Sequence, residues 1–195
     1  MEGVALVLIG AVMFNHSWYL LRLYPDGRTM GIFVGALGLA ALATLTFDPM
    51  LLTGVGDDGS VLRGANPVAE ITILKLVIIV WAGYAVGVAA QAIWEFDERA
   101  IGFYSVVVAA SSLVAMIYYA TTLLTPYGDD VQLSMMAAMF FLAVPPAMVF
   151  SYYAIPAFSA LQQVAGWFLL VGGIGVTTTG LVIVSTLIEA RGFAR

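Results

Sequence analysis

Asn15, His16 and Ser17 form a polar triplet inside an otherwise apolar run, and they are the first groups along the chain able to do chemistry. A carboxamide, an imidazole and a hydroxyl each donate and accept hydrogen bonds, which is what a polar solute needs when it leaves water. His16 is the single histidine and there is no cysteine. Bis-imidazole haem ligation, polyhistidine zinc sites, thiolate metal sites, disulfides and a cysteine nucleophile are thereby excluded. Two readings of His16 stay open: a neutral ring hydrogen-bonded to a neighbouring helix, or a group lining a pathway. Thr177, Thr178 and Thr179 pose the same choice, because a helical Thr either bonds back to the preceding turn or offers its hydroxyl to a solute. Glu95, Asp97 and Glu98 read as a solvated turn with Arg99 as local counter-ion. Lys75 snorkels outward or pairs with a carboxylate such as Glu70. No nucleophile stands beside a base, and no paired carboxylates or metal cluster interrupt the apolar runs. No enzyme activity, metal or cofactor is expected.

The elements that must position these groups follow from where charge is missing. Of 195 residues, 62% are hydrophobic and only 10% charged, and the mean hydropathy is +1.01; soluble domains carry about 25% charged residues. A soluble enzyme does not fit. The net charge of -5 comes without any basic cluster, so nucleic acid is not a partner. Charge is absent for 19 positions from Gly3 to Leu21, from Thr29 to Phe47 and from Leu76 to Trp94, for 29 from Ala100 to Gly128, and for 58 from Val131 to Ile188. The last run fits two crossings of roughly 20 residues each, divided at Pro156 to Gln163. The sequence predicts an all-α membrane protein, one domain over 1–195, with six transmembrane helices at about 3–23, 29–47, 69–94, 100–124, 131–155 and 164–188. The first helix lacks a positive leader region and a cleavage site, so it is expected to be retained. Connections are short except the Gly- and Asp-rich stretch from Asp48 to Val68. Arg22, Arg28 and Arg99 fall on one side and Arg63, Arg191 and Arg195 on the other. The weight of short loops places the first group on the inner side of the cytoplasmic membrane and both termini outside.

Gly31-Ile32-Phe33, Gly102-Phe103-Tyr104 and Gly166-Trp167-Phe168 open three segments alike, 71 and then 64 residues apart. Each begins the second helix of a hairpin, and in transport proteins a pathway commonly forms where such repeats meet. Gly31 with Gly35, and Gly83 with Gly87, are GxxxG pairs expected to pack helices closely. Pro145 and Pro146 remove backbone donors and should kink the fifth helix. Trp81, Trp94, Tyr118, Tyr119, Tyr127, Tyr152 and Tyr153 are expected in an interfacial belt.

The opening Gly3 to Phe14, then Ile32-Phe33-Val34-Gly35, resembles the start of the urea channel and amide transporter family known as AmiS/UreI. Tyr84, Ala89-Ala90-Gln91, Glu95, Asp97, Arg99, Gly102 and Tyr104 resemble its third helix, acidic turn and fourth helix in order and spacing, and Gly166-Trp167 with Gly173-Ile174 its last helix. The resemblance runs the whole length. It implies three helical hairpins, a ring-shaped homo-oligomer in the lipid bilayer, and passive passage of a small neutral solute. It adds Tyr84 and Gln91 to Asn15, His16 and Thr178 as pathway-lining candidates. The departures lie at the family's polar positions: His16, Gly31 and Ala90 stand where it carries Asn, and Gly172 where it carries Glu. Phe141, Val144 and Met148 stand where Trp constricts its path, and Phe141 is the lining candidate there. Each desolvated, unsatisfied polar group costs about 2–7 kcal/mol. Two functions are therefore expected: a channel or facilitator for a urea-type solute, or a non-conducting accessory subunit of a larger membrane complex that keeps the channel fold.

Overall fold

The computed structural model describes residues 2–23, 26–47, 67–121, 129–154 and 159–190. They form six helices: α1 (Glu2–Leu20), α2 (Gly27–Phe47), α3 (Pro67–Trp94), α4 (Glu98–Thr121), α5 (Asp129–Ala154) and α6 (Ser159–Ala190). All six are long and apolar enough to cross a membrane. Large apolar side chains stand exposed on every helix, including Phe33 at 59%, Phe103 at 66% and Trp167 at 59%. A water-soluble chain would not leave so much oil uncovered, and the molecule is a multi-pass membrane protein. Arg63, Tyr127, Arg191 and Arg195 lie outside the described residues, as does most of the Asp48 to Val68 connection.

The helix ends shift by up to five residues from those expected, and two of the starts have a local cause. Helix α2 starts two residues earlier because Asp26 caps it, its Oδ1 accepting from the Arg28 N–H at 3.1 Å. Helix α6 starts at Ser159, so Gln162 and Gln163 belong to its first turns; a helix end outside hydrocarbon tolerates polar residues that a hydropathy break counts as loop. Helix α1 ends in a Schellman motif, with Leu23 N–H on Trp18 O at 3.0 Å and Arg22 N–H on Tyr19 O at 2.9 Å. Arg22 occupies the left-handed position there, with φ 59°.

The helices close into a ring. Each packs on its chain neighbours and α6 returns to α1, while α1 also leans inward to touch α3. Glycine sets the closest approaches. A Cβ at Gly10 would lie 2.7 Å from Gly173 O and one at Gly180 2.7 Å from Gly3 O, so α1 and α6 meet backbone to backbone. Gly31, Gly35 and Gly38 of α2 face Ala92, Ala89 and Ala85 of α3, as GxxxG packing requires. Gly83 is covered by Tyr104, but Gly87 has open space beside it and packs nothing. Of that pair only the first glycine does the expected job.

The three segments that open alike occupy like positions. Gly31 faces Ala92 of α3, Gly102 faces Tyr153 of α5, and Gly166 faces Leu21 at the end of α1. The residues after each glycine point outward. For the first two the likeness extends to the caps, since Asp97 Oδ1 accepts from Arg99 N–H at 2.9 Å as Asp26 does from Arg28.

Pro145 and Pro146 are buried within a helix that runs unbroken to Ala154. Pro145 cannot donate to the Phe141 carbonyl, and that carbonyl faces Gly172: a Cβ there would lie 3.0 Å from Phe141 O and 2.6 Å from Pro145 Cγ. Glycine on α6 thus makes room for both the proline ring and the freed carbonyl.

Candidate functional site

At the end of the ring where α1, α3 and α5 finish, a cavity of about 650 Å³ opens between the helices. Capped helix starts supply its rim. Arg28 donates to Glu95 at 2.8 Å, with both side chains largely exposed, so the pair is worth little energetically. Asp26 accepts from the Thr29 hydroxyl, which, ahead of the backbone N–H groups of Thr29 and Arg28, holds its carboxyl below the ordinary carboxylate value.

The wall below the rim is built from Gln91 of α3, Glu98 of α4, Tyr19 of α1 and Tyr152 and Tyr153 of α5. Gln91 Nε2 donates to Glu98 Oε1 at 3.4 Å. The Tyr152 and Tyr153 rings lie 4.7 Å apart. Glu98 is half-buried, which corrects its reading as part of a solvated turn: it opens α4 on the cavity wall, while Arg99 and Ala100 beside it are exposed. Tyr153, only 6% exposed, lies within electrostatic reach of both Glu98 and Tyr84.

Tyr84 sits two turns before Gln91 on α3, about 10 Å deeper. Its hydroxyl meets His16 Nδ1 at 2.9 Å across the ring, and both residues are 1% exposed. Behind them Trp81 packs edge-on against Tyr84 and donates from Nε1 to Ser112 Oγ at 3.2 Å, which itself donates to Val108 O. Three helices are thus tied by polar contacts at one level of an otherwise apolar interior. Beyond that level Leu6, Ile9, Met13, Ile78, Met139 and Leu142 are fully buried.

The expected lining residues divide. Gln91 lines the cavity, and His16 and Tyr84 form the pair beneath it. Asn15 is spent within α1, donating to Ala11 O at 2.8 Å. Thr178 is exposed on the outside of the ring and donates to Ile174 O, so of its two readings the helix took the local one. Phe141 is half-buried with its ring over Gly175, at the α5–α6 contact. Trp81, Tyr119 and Tyr153, expected in an interfacial belt, are buried in the ring, whereas Trp94 at the end of α3 is 65% exposed. Sequence reasoning missed Tyr19, Tyr152, Tyr153 and Glu98 as one wall. They come from three separate helices, and only the ring closure joins them. Compared with known proteins, the chain matches no family model, no curated protein and no solved structure.

Proposed function

We propose that this chain is a channel or facilitator for a small uncharged polar solute of the urea or short-amide class, held here in a closed state. One observation carries the reading: a cavity walled by hydrogen-bonding groups lies above a buried polar pair, Tyr84 and His16, that joins α1 to α3 inside a ring of apolar helices. An amide carbonyl can accept from a tyrosine hydroxyl, and its N–H groups can donate to Gln91 Oε1 or Glu98. Parting of the Tyr84–His16 bond would offer both groups to the solute in place of its water. The whole-length resemblance to the urea channel and amide transporter family supports the same reading. In it α1–α2, α3–α4 and α5–α6 are three repeated hairpins, several copies form a ring in the cytoplasmic membrane, and both termini lie outside. Labelled urea and acetamide should enter proteoliposomes faster than empty vesicles, and Tyr84→Ala should change that rate. Entry no faster than into empty vesicles overturns the proposal.

The apolar filling beyond the pair favours a second reading, an accessory subunit that keeps the fold and conducts nothing. Leu6, Ile9, Met13, Ile78, Met139 and Leu142 are all under 2% exposed, and dry side chains offer a polar solute no hydrogen bonds. Purification from its native membrane would then bring down other polypeptides in fixed ratio, whereas a homogeneous assembly of this chain alone counts against it.

A further inference from the structure

Among the described residues the cavity wall carries more negative than positive charge. Four carboxylates line the cavity against two guanidinium groups. Among the described residues the one ion pair is Arg28 with Glu95, out on the rim. Glu98 is half-buried, and its hydrogen-bond partner is the neutral Gln91 amide at a long 3.4 Å. Asp97, the charge beside it in the chain, has the same sign. Arg99 is exposed, and adjacent helix positions do not face each other. A carboxylate withdrawn from water calls for a cation or several strong donors.

A second, independent observation comes from α5. The Tyr153 side chain is more than nine-tenths buried, it lines the cavity, and among the described residues no group hydrogen-bonds its hydroxyl. Tyr19 and Tyr152 share the wall; Glu98 acts on all three tyrosines, and Arg22 acts on Tyr152 with the opposite sign. Aromatic rings that share a wall with a carboxylate lacking an ion pair among the described residues match a particular kind of ligand. Ring quadrupoles attract a soft, weakly hydrated cation, whereas a hard metal ion takes six or more oxygen ligands. Among the described residues no three metal-ligating side chains are grouped.

We infer that this cavity binds a small organic cation, a methylated ammonium of about choline size, with its positive head on Glu98 and its methyl groups against the Tyr19, Tyr152 and Tyr153 rings. The inference goes beyond the channel reading and does not rest on it, since a chain that conducts nothing would bind the same ligand. Phosphatidylcholine headgroups carry this chemistry as well as free solutes, so the experiment separates them.

The full chain is placed in nanodiscs of phosphatidylglycerol and titrated calorimetrically with choline and with 3,3-dimethylbutanol, its uncharged isostere. Choline should bind at least roughly tenfold more tightly than the isostere, and Glu98→Gln should weaken it by roughly tenfold or more. Tyr152→Leu should weaken it several-fold and serves as the second variant if Glu98→Gln does not fold, as judged by its thermal midpoint. Equal binding of choline and the isostere, no choline binding at millimolar concentration, or unchanged affinity in both variants overturns the inference. In discs of phosphatidylcholine, weaker apparent choline affinity identifies the headgroup as occupant and unchanged affinity a free solute; either result upholds the cation site. Because no uptake is measured, loss of the channel reading leaves this result standing, and the reverse holds too.

Discussion

Gly10 and Gly173 face each other with no side chain between them: a Cβ on either would lie 2.7 Å from the other's carbonyl oxygen. The same antiparallel register sets Gly3 against Gly180, seven residues away on each helix. In hydrocarbon there is no hydrophobic drive to hold two helices together, so close backbone packing must supply it.

Gly173→Ala should therefore force α1 and α6 apart and lower stability by about 1–3 kcal/mol, the usual cost of overpacking. Gly87→Ala, with nothing within 4 Å, is the matched control, and helix propensity predicts a gain of up to about 1 kcal/mol there. Thermal midpoints of the two variants in one detergent decide the matter. Equal losses would mean that the α1–α6 approach contributes nothing special.

The Tyr84–His16 bond predicts a non-additive pair. Tyr84→Phe leaves His16 Nδ1 buried without its partner, which should cost about 1–3 kcal/mol. Removing both polar groups, in Tyr84→Phe with His16→Leu, should cost less than the two single changes added together, because no orphan remains. Denaturation of the four proteins of this cycle measures the coupling. Strict additivity would show that the two groups do not depend on each other.

Six crossings could be read from the sequence because charge is expensive in lipid, and the missing Lys, Arg, Asp and Glu mark each span. Which face each helix turns inward could not be read the same way. Lipid and protein interior are equally apolar, so Leu6 in the core and Leu39 on the surface look alike in sequence. Small residues carry the missing information. Gly3 and Gly10 on α1, and Gly166, Gly173 and Gly180 on α6, repeat every seven residues, a signal for a helix seam that a search for four-residue spacing passes over. His16 was legible as a polar group inside an apolar run and Tyr84 only through the family resemblance, but their bond depends on α1 leaning towards α3. Glu98 was misjudged for a similar reason, since its shelter comes from tyrosines more than fifty positions away on α5.

Gly172 predicts what adding a side chain would do. A Cβ there meets Pro145 Cγ at 2.6 Å, Met13 Cε at 2.7 Å and Phe141 O at 3.0 Å. Met13 is flexible, but the proline ring and the carbonyl are fixed. Gly172→Ala should lower stability by about 1–3 kcal/mol, and Gly172→Glu by more, since it also buries a carboxyl among apolar groups. Thermal midpoints in detergent check the order; a tolerated Gly172→Glu would mean that α5 and α6 separate easily at the prolines.

Asp26 predicts the acid limb of the stability profile. Hydrogen bonds from the Thr29 hydroxyl first, then from the Thr29 and Arg28 backbone, stabilise its ionised form and hold its carboxyl below the ordinary 3.8. A lowered folded-state value means that the contribution is complete above the unfolded-state value and is lost as pH falls through the folded one. The thermal midpoint should therefore be insensitive to this group between about pH 5 and 8 and should decline below about pH 4. Asn at this position still accepts from the Arg28 N–H but cannot lose a charge. Asp26→Asn should thus run parallel to the unaltered chain at neutral pH and fall less steeply in acid. Melting curves taken at half-unit steps from pH 7 to pH 3 test this, and an identical acid decline in both proteins would show that the cap's ionisation is not linked to folding.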